Sequence, residues 1–200
     1  MSASQVNRGP LKKNDAGPGA DELDDTTFDT TLRANWSDTW YTDLRAFGHK
    51  RNGRPSGRYQ LNDYLTETRV YPGAVTINHT YGWDQENPAV NDPSRTSQDF
   101  ANELDEDFTN VILTNVVQAG NIDIKFIGGY SDFLRESATD VDWSSATLSS
   151  SVNNIISDSD QLTAELQFIS NFDGKTNFVA GMFYFESNER LYYDFQNATD

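Results

Sequence analysis

Residues 165–185 read ELQFISNFDGKTNFVAGMFYF. Two alternating runs flank a break at FDGK, the form of a β-hairpin. Leu162, Ala164, Leu166 and Phe168 share one parity, against Thr163, Glu165, Gln167 and Ile169. After the break, Phe178, Ala180, Met182 and Tyr184 oppose Val179, Gly181, Phe183 and Phe185. Side chains alternate between faces of a strand, so such a hairpin has one continuous apolar row. What that row touches decides the fold. A second sheet would make a soluble sandwich, and lipid would make a membrane barrel.

Two more hairpins follow the same pattern. Around SDT at 37–39, Phe28, Thr30, Leu32, Ala34 and Trp36 fall on one parity, and Trp40, Thr42, Leu44, Ala46 and Gly48 continue it. Asp29, Thr31, Arg33 and Asn35, then Tyr41, Asp43, Arg45, Phe47 and His49, take the other. Around AGN at 119–121, Ile122, Ile124, Phe126, Gly128 and Tyr130 oppose Asp123, Lys125, Ile127 and Gly129. The strand before that turn, FTNVILTNVVQ, is apolar on both parities and leaves its facing open. No apolar stripe of helical period runs longer than three turns.

The connections alternate in length. Short turns sit inside the pairs, and long polar segments at 50–107 and 136–160 join them. In an up-and-down meander this puts the tight turns at one end and the long loops at the other, the asymmetry of outer-membrane barrels. The expected strands run about 10–14 residues, longer than the globular mode of about 5–6 and matched to the about 9–11 that cross a bilayer. Trp36, Trp40 and Phe178 near the turns, and Tyr130 and Tyr184 near the far ends, suit interfacial girdles of aromatic rings. The expected fold is all-β: an antiparallel up-and-down meander forming part of a transmembrane β-barrel, with short periplasmic turns and long extracellular loops. On this reading 1–26 is a loop segment, 27–187 holds about six strands, and 188–200 opens a further loop.

Composition narrows the function classes. The 200 residues carry 31 acidic and 15 basic side chains, a formal charge of −16, which repels nucleic-acid phosphates. There is no cysteine, and the two histidines, His49 and His79, lack metal-ligand spacing. No run of 18 apolar residues suggests a membrane helix, which leaves a barrel open. Residues 1–25 lack the apolar core of a secretion signal. The acidic clusters Asp21, Glu22, Asp24, Asp25 and Glu103, Asp105, Glu106, Asp107 offer oxygen ligands for Ca²⁺ but match no EF-hand loop, so solvated loop charge is the better reading.

NIDIKFIGGYSDFLRESATDVDWS, followed by QLTAELQFISNFDGKTNFVAGMFYFES, resembles the barrel of TonB-dependent receptors. Ile127, Gly129, Tyr130, Phe133, Asp140, Asp142, Glu165, Leu166, Ser170, Gly181, Tyr184 and Phe185 carry the resemblance, which covers about 108–187, while 16–49 fits more loosely. No plug domain, energy-coupling box or secretion signal is read in the sequence, so the resemblance implies an internal barrel piece. It implies a receptor that takes up a scarce ligand, such as an iron–siderophore complex, without bond chemistry or a cofactor. Its partners would be outer-membrane lipid, the missing plug and remaining strands, TonB through the missing part, and an unidentified small molecule. Arg33, Asp43, Arg45, Lys125 and Glu165 would then face the lumen. Leu32, Leu44, Ile124, Phe126, Leu166, Phe168, Ala180 and Met182 would face lipid. Arg51, Arg54, Arg58, Tyr81 and Trp83 would offer charge and rings to a ligand from the loops, as would Tyr59, Tyr64 and Tyr71. The alternative is a soluble β-sandwich adhesin or glycan-binding module. A glycosidase with paired carboxylates ranks last, because no pair of acids has a readable arrangement.

Overall fold

The structure, a computed structural model, describes residues 1–55, 66–71, 75–80, 92–141 and 150–198. Among these no helix occurs, and seven strands form one sheet. They are β1 (Ser2–Arg8), β3 (Glu22–Ser37), β4 (Trp40–Arg54), β8 (Glu103–Ala119), β9 (Ile122–Asp140), β10 (Ser150–Ser170) and β11 (Val179–Ala198). Their spatial order is β1-β3-β4-β8-β9-β10-β11, and every pair is antiparallel, so the sheet is a meander. It is open, with β1 and β11 at its edges, and no barrel closes among the described residues. Two small sheets lie in the connections. β2 (Lys13–Asn14) pairs in parallel with β7 (Arg95–Thr96), and β5 (Thr66–Tyr71) pairs with β6 (Val75–Thr80).

The turns follow from local chemistry. Gly120 and Asn121 alone link β8 to β9, and Gly120 takes φ 64°. A glycine with positive φ at the first central position is the type II′ hairpin arrangement. FDGK belongs to a longer loop, 171–178, rather than a tight turn. Asn177 closes this loop. Its Oδ1 accepts from the Phe172 amide at 2.7 Å, while the Ser170 hydroxyl accepts from the Phe178 amide at 2.6 Å.

The strands run further than their apolar residues suggested. β4 continues to Arg54, β8 begins at Glu103, β9 reaches Asp140, and β10 begins at Ser150. The expected loops at 50–107 and 136–160 are therefore shorter, and 188–198 belongs to β11 rather than to a loop. The expected loop at 1–26 contains β1 and the start of β3. Most of these extensions are rich in polar residues on both faces, so hydrophobic alternation reveals them poorly. In β11 the alternation Leu191, Tyr193, Phe195 does continue the strand pattern. Their ladder hydrogen bonds are satisfied by neighbouring strands of equal reach.

Pairing settles the facing that FTNVILTNVVQ left open. Val111, Leu113, Asn115 and Val117 lie on one face, and Ile112, Thr114 and Val116 on the other. The first face has successive cross-strand rows. Trp40, Val117, Ile124, Phe168 and Ala180 form one row, followed by Thr42, Asn115, Phe126, Leu166 and Met182. Next come Leu44, Leu113, Gly128, Ala164 and Tyr184, then Ala46, Val111, Tyr130 and Leu162. Beyond these the same face turns polar. Thr109, Asp132, Asp160 and Asn188 share a row, as do Lys50, Asp107, Asp158 and Arg190 with Leu134.

No second layer covers the apolar band among the described residues. Leu32 is 63 % exposed and Met182 67 %. Among the described residues the buried apolar side chains are Ala20 and Val116. Asn115 stands within the band because it completes a hydrogen-bond chain. Its Oδ1 accepts from Trp40 Nε1 at 2.7 Å and from the Thr42 hydroxyl at 2.8 Å, and Thr42 Oγ1 accepts from Trp36 Nε1 at 2.9 Å. Both indole N–H groups are thus satisfied beside an apolar surface, where an unmade bond is expensive.

Asn115→Leu is expected to cost about 1–3 kcal/mol, since it strips the acceptor from Trp40 and Thr42. Gly48→Val is expected to cost a similar amount through overpacking, about 1–3 kcal/mol, because a Cβ there runs into the Phe108 carbonyl and the Phe28 ring. Urea unfolding of the chain measures both. A cost for Asn115→Leu no larger than that of Leu113→Met would contradict the first assignment.

Candidate functional site

The opposite face is polar over most of β3, β4, β8, β9 and β10, where arginine–carboxylate pairs bind β3, β4 and β8 together. Its row on β11 is largely apolar, with Val179, Phe183, Phe185, Leu191, Tyr193 and Phe195 exposed. Arg33 grips Asp43, its direct partner across β3–β4, with two hydrogen bonds of 2.6 Å. Arg45 reaches diagonally to Asp29 with bonds of 3.2 and 2.7 Å. Arg51 bonds Asp25 at 3.0 Å and Glu106 at 3.4 Å. Glu106 also meets His49 Nε2 at 2.8 Å and Arg135 at 4.0 Å. Bidentate guanidinium–carboxylate geometry is directional as well as strong, and here it fixes register across four strands.

Aromatic rings cross the same face one level along. The Phe47 and Phe108 centroids are 6.1 Å apart, those of Phe108 and Phe133 are 6.5 Å apart, and His49 lies 5.6 Å from Phe108. Arg45 sits over the Phe47 ring at 4.7 Å, and Arg33 over Tyr41 at 4.5 Å.

The residues expected to face a lumen, Arg33, Asp43, Arg45, Lys125 and Glu165, all share this polar face. Glu165 accepts from Gln167 at 2.6 Å. Those expected to face lipid (Leu32, Leu44, Ile124, Phe126, Leu166, Phe168, Ala180 and Met182) share the other. Trp36, Trp40, Tyr130 and Tyr184 lie with them, and Phe178 continues their parity just before β11.

The ligand-loop expectation is corrected in part. Arg51 and Arg54 belong to β4 rather than to a loop. Arg51 is held by Asp25 and Glu106, and Arg54 by Glu22 and the Gly19 carbonyl, so neither guanidinium is free for an anion. Arg58, Tyr59, Tyr64, Tyr81 and Trp83 lie outside the described residues, as does the Tyr71 side chain.

The acidic clusters find their place here too. β3 and β8 carry them on either side of the basic end of β4, Lys50-Arg51-Asn52-Gly53-Arg54. Glu22, Asp25, Glu106 and Asp107 are cross-strand partners of Arg54, Arg51 and Lys50, and Asp24 and Asp105 face Asn52, so most of this charge lies in strands rather than in solvated loops. No group of three or more metal-ligating side chains gathers among the described residues.

The chain's surplus of acid is unevenly placed. Asp105, Asp107, Asp132, Glu136, Asp158 and Asp160 lie on the first face, beyond its apolar band. The polar face pairs most of its charge internally.

Above the sheet, the connection 9–21 is pinned to 92–102. Asn14 exchanges two hydrogen bonds with the Gln98 backbone, at 2.9 and 3.0 Å, and Arg95 clasps Asp15 at 3.0 and 2.5 Å. Thr96, Ser97, Gln98 and Asn102 are buried there. Sequence reading missed this knot, since its halves lie about eighty residues apart and show no apolar pattern.

Comparison with family models, with curated proteins and with solved structures gave no match.

The Arg95 guanidinium holds the Asp15 carboxyl below its ordinary value. A lowered carboxylate pKa adds stability above the unfolded value, about 3.9, and loses it as pH falls through the folded value. The knot is therefore expected to loosen only below about pH 4, read as loss of amide protection at Thr96 and Gln98 after correction for intrinsic exchange. Arg95→Gln should remove this acid dependence, and an unchanged profile would contradict the assignment. Glu106→Gln is expected to cost about 1–2 kcal/mol because Arg51, Arg135 and the His49 ring share that carboxylate. Asp107→Asn, whose Lys50 partner is exposed, should cost about 0–1 kcal/mol. Denaturant titration compares the two.

Proposed function

We propose that this chain is a section of an outer-membrane β-barrel of the TonB-dependent receptor kind. The apolar band faces lipid and the polar face lines an aqueous passage. The height of the band supports this reading most. From Ile122 to Tyr130 it spans about 27 Å of strand, or about 20 Å of height at a barrel tilt near 40°. The apolar belt of such barrels is about 25 Å tall. β10 has 21 residues, about 70 Å of strand, yet on this face its unbroken apolar run is Leu162, Ala164, Leu166 and Phe168, with Asp160 and Asp158 next above it. A partner sheet in a sandwich would have to be apolar for half its length and cationic for the rest, to answer Asp132, Asp158 and Asp160. A bilayer with water above it presents that boundary without any partner.

The polar extensions then stand outside the membrane, as the extracellular part of a barrel wall. The aromatic residues Trp36, Trp40 and Phe178 lie near one edge of the band, and Tyr130 and Tyr184, one cross-strand row apart, lie toward the other. The function is energy-coupled uptake of a scarce small ligand, for which the resemblance favours an iron chelate. The plug, the remaining strands and the site that engages TonB come from the rest of the receptor, and the barrel itself performs no bond chemistry. The soluble sandwich is the second reading, and the uncovered band argues against it.

Leu166→Arg is expected to cost about 2–4 kcal/mol in lipid, since it puts a charge at mid-belt. Gln167→Arg, on the other face, should cost little. Asp158→Arg, on the same face as Leu166 but above the belt, should also cost little. Refolding into outer-membrane lipid vesicles measures all three, and equal costs would contradict both the facing and the height of the belt.

A further inference from the structure

We infer that the free edge of β11 is a self-association surface, which takes β11 of a second copy of this chain in antiparallel register about Asn188. This goes beyond the proposed function and does not rest on it.

β11 ends the sheet, with β10 on one side and no strand on the other among the described residues. It is 20 residues long, and its pairing with β10 runs without a bulge. The Ser170 amide donates to the Phe178 carbonyl. Even-numbered residues of β11 therefore turn their backbone groups to β10, and odd-numbered ones turn theirs to the free edge. A long, regular and largely apolar edge is a template for another strand. The opposite edge is a poor one, since β1 has only 7 residues, SASQVNR, and most are polar.

The residues along this edge match their own reverse. FYFESNERLYY, residues 183–193, is patterned symmetrically about Asn188. A two-fold axis there sets Glu186 opposite Arg190 of the second copy, and does so twice. It sets Phe185 opposite Leu191, Tyr184 opposite Tyr192 and Phe183 opposite Tyr193. Opposite charges and aromatic rings placed directly across strands are favourable pairs, and these apolar and aromatic side chains are all exposed. The backbone agrees, because Ser187 then meets Glu189 and both turn their hydrogen-bonding groups to the edge. Neighbouring centres fit worse. About Glu189 that carboxylate faces itself, and about Arg190 Glu186 faces Asp194. About Ser187 the Arg190 side chain faces Tyr184 and loses Glu186. A contact of this two-fold kind closes at two copies.

The two copies run in opposite directions, so one bilayer could not hold both in the same orientation. The pair belongs to the chain apart from the remaining strands, and in the proposed barrel the next strand takes this edge.

The test uses the whole chain refolded in detergent micelles, with its mass read by sedimentation equilibrium and the fold of each variant by circular dichroism. A dimer is expected. The chain has no cysteine, so introduced thiols report the register. Asn188→Cys should cross-link to itself on oxidation, since directly opposed residues there have Cα atoms about 4.5 Å apart, within disulfide reach. Tyr184→Cys should not cross-link alone, because the two copies of that position lie about 27 Å apart along the strands. Mixed with Tyr192→Cys it should cross-link. Arg190→Glu should raise the dissociation constant at least about tenfold, as like charges then stand opposite each other twice. Adding Glu186→Arg to the same chain should restore association. A monomer would overturn the inference. So would a dimer in which Asn188→Cys stays unlinked or Tyr184→Cys links alone, or a charge swap that fails to restore it. Insertion is read independently through the Leu166 and Gln167 variants, so the membrane reading and this inference can fail separately.

Discussion

A single-layer sheet has no interior, so the medium on each side must do what a core does elsewhere. Among the described residues almost no apolar side chain is buried. Burial of apolar surface is the main favourable term in folding, and each ordered residue costs about 1–2 kcal/mol of backbone entropy. The band of Leu32, Leu44, Leu113, Phe126, Leu166 and Met182 therefore has to be covered by something other than the described protein. The nature of that cover determines everything else about the molecule. Lipid fits because the band stops at a level, across β4, β8, β9 and β10 alike, while the strands continue.

Given that cover, the other face has a different task. It cannot gain much from hydrophobic burial, and it is held by paired charges and by the Phe47–Phe108–Phe133 ladder. Exposed ion pairs are individually weak. Their value here is register, because a slip by one residue would send Arg33 and Asp43 to the apolar face and Leu32 and Leu44 to the polar one. The same alternation that makes the apolar band thus also fixes the register of the polar face. Asp105, Asp107, Asp132, Glu136, Asp158 and Asp160 lie beyond the band on the apolar side of the sheet.

Much of this was legible in the sequence because side-chain period in a strand is fixed at two. Leu162 to Phe168 and Ile122 to Tyr130 could be assigned to faces by parity alone. β8 could not, since VILTNVV is apolar on both parities, and only pairing with Trp40 and Thr42 shows why Asn115 points into the band. The ends of strands were misread where polar residues dominate, as in Ser150–Asp160, whose Val152, Ile155 and Ile156 do not alternate. In Glu186–Ala198 the alternation Leu191, Tyr193, Phe195 was present but overlooked. The acidic clusters were visible but their role was not. It depends on β4 lying between β3 and β8, which is a matter of strand order. The Asn14–Gln98 and Asp15–Arg95 contacts were beyond reach for the same reason, being tertiary contacts between polar segments.

Site-directed spin labelling along β10 tests the central claim most directly. The chain has no cysteine, so each introduced thiol carries the only label. Labels are placed one at a time from Asp158 to Phe168 in the vesicle-reconstituted protein, and collision with oxygen, which partitions into lipid, is compared with collision with a water-soluble nickel chelate. The account predicts oxygen maxima at 162, 164, 166 and 168, nickel maxima at 163, 165 and 167, and nickel access at both parities from 158 to 160. Low access to both reagents at 162–168 would mean that protein covers the band, and would contradict it.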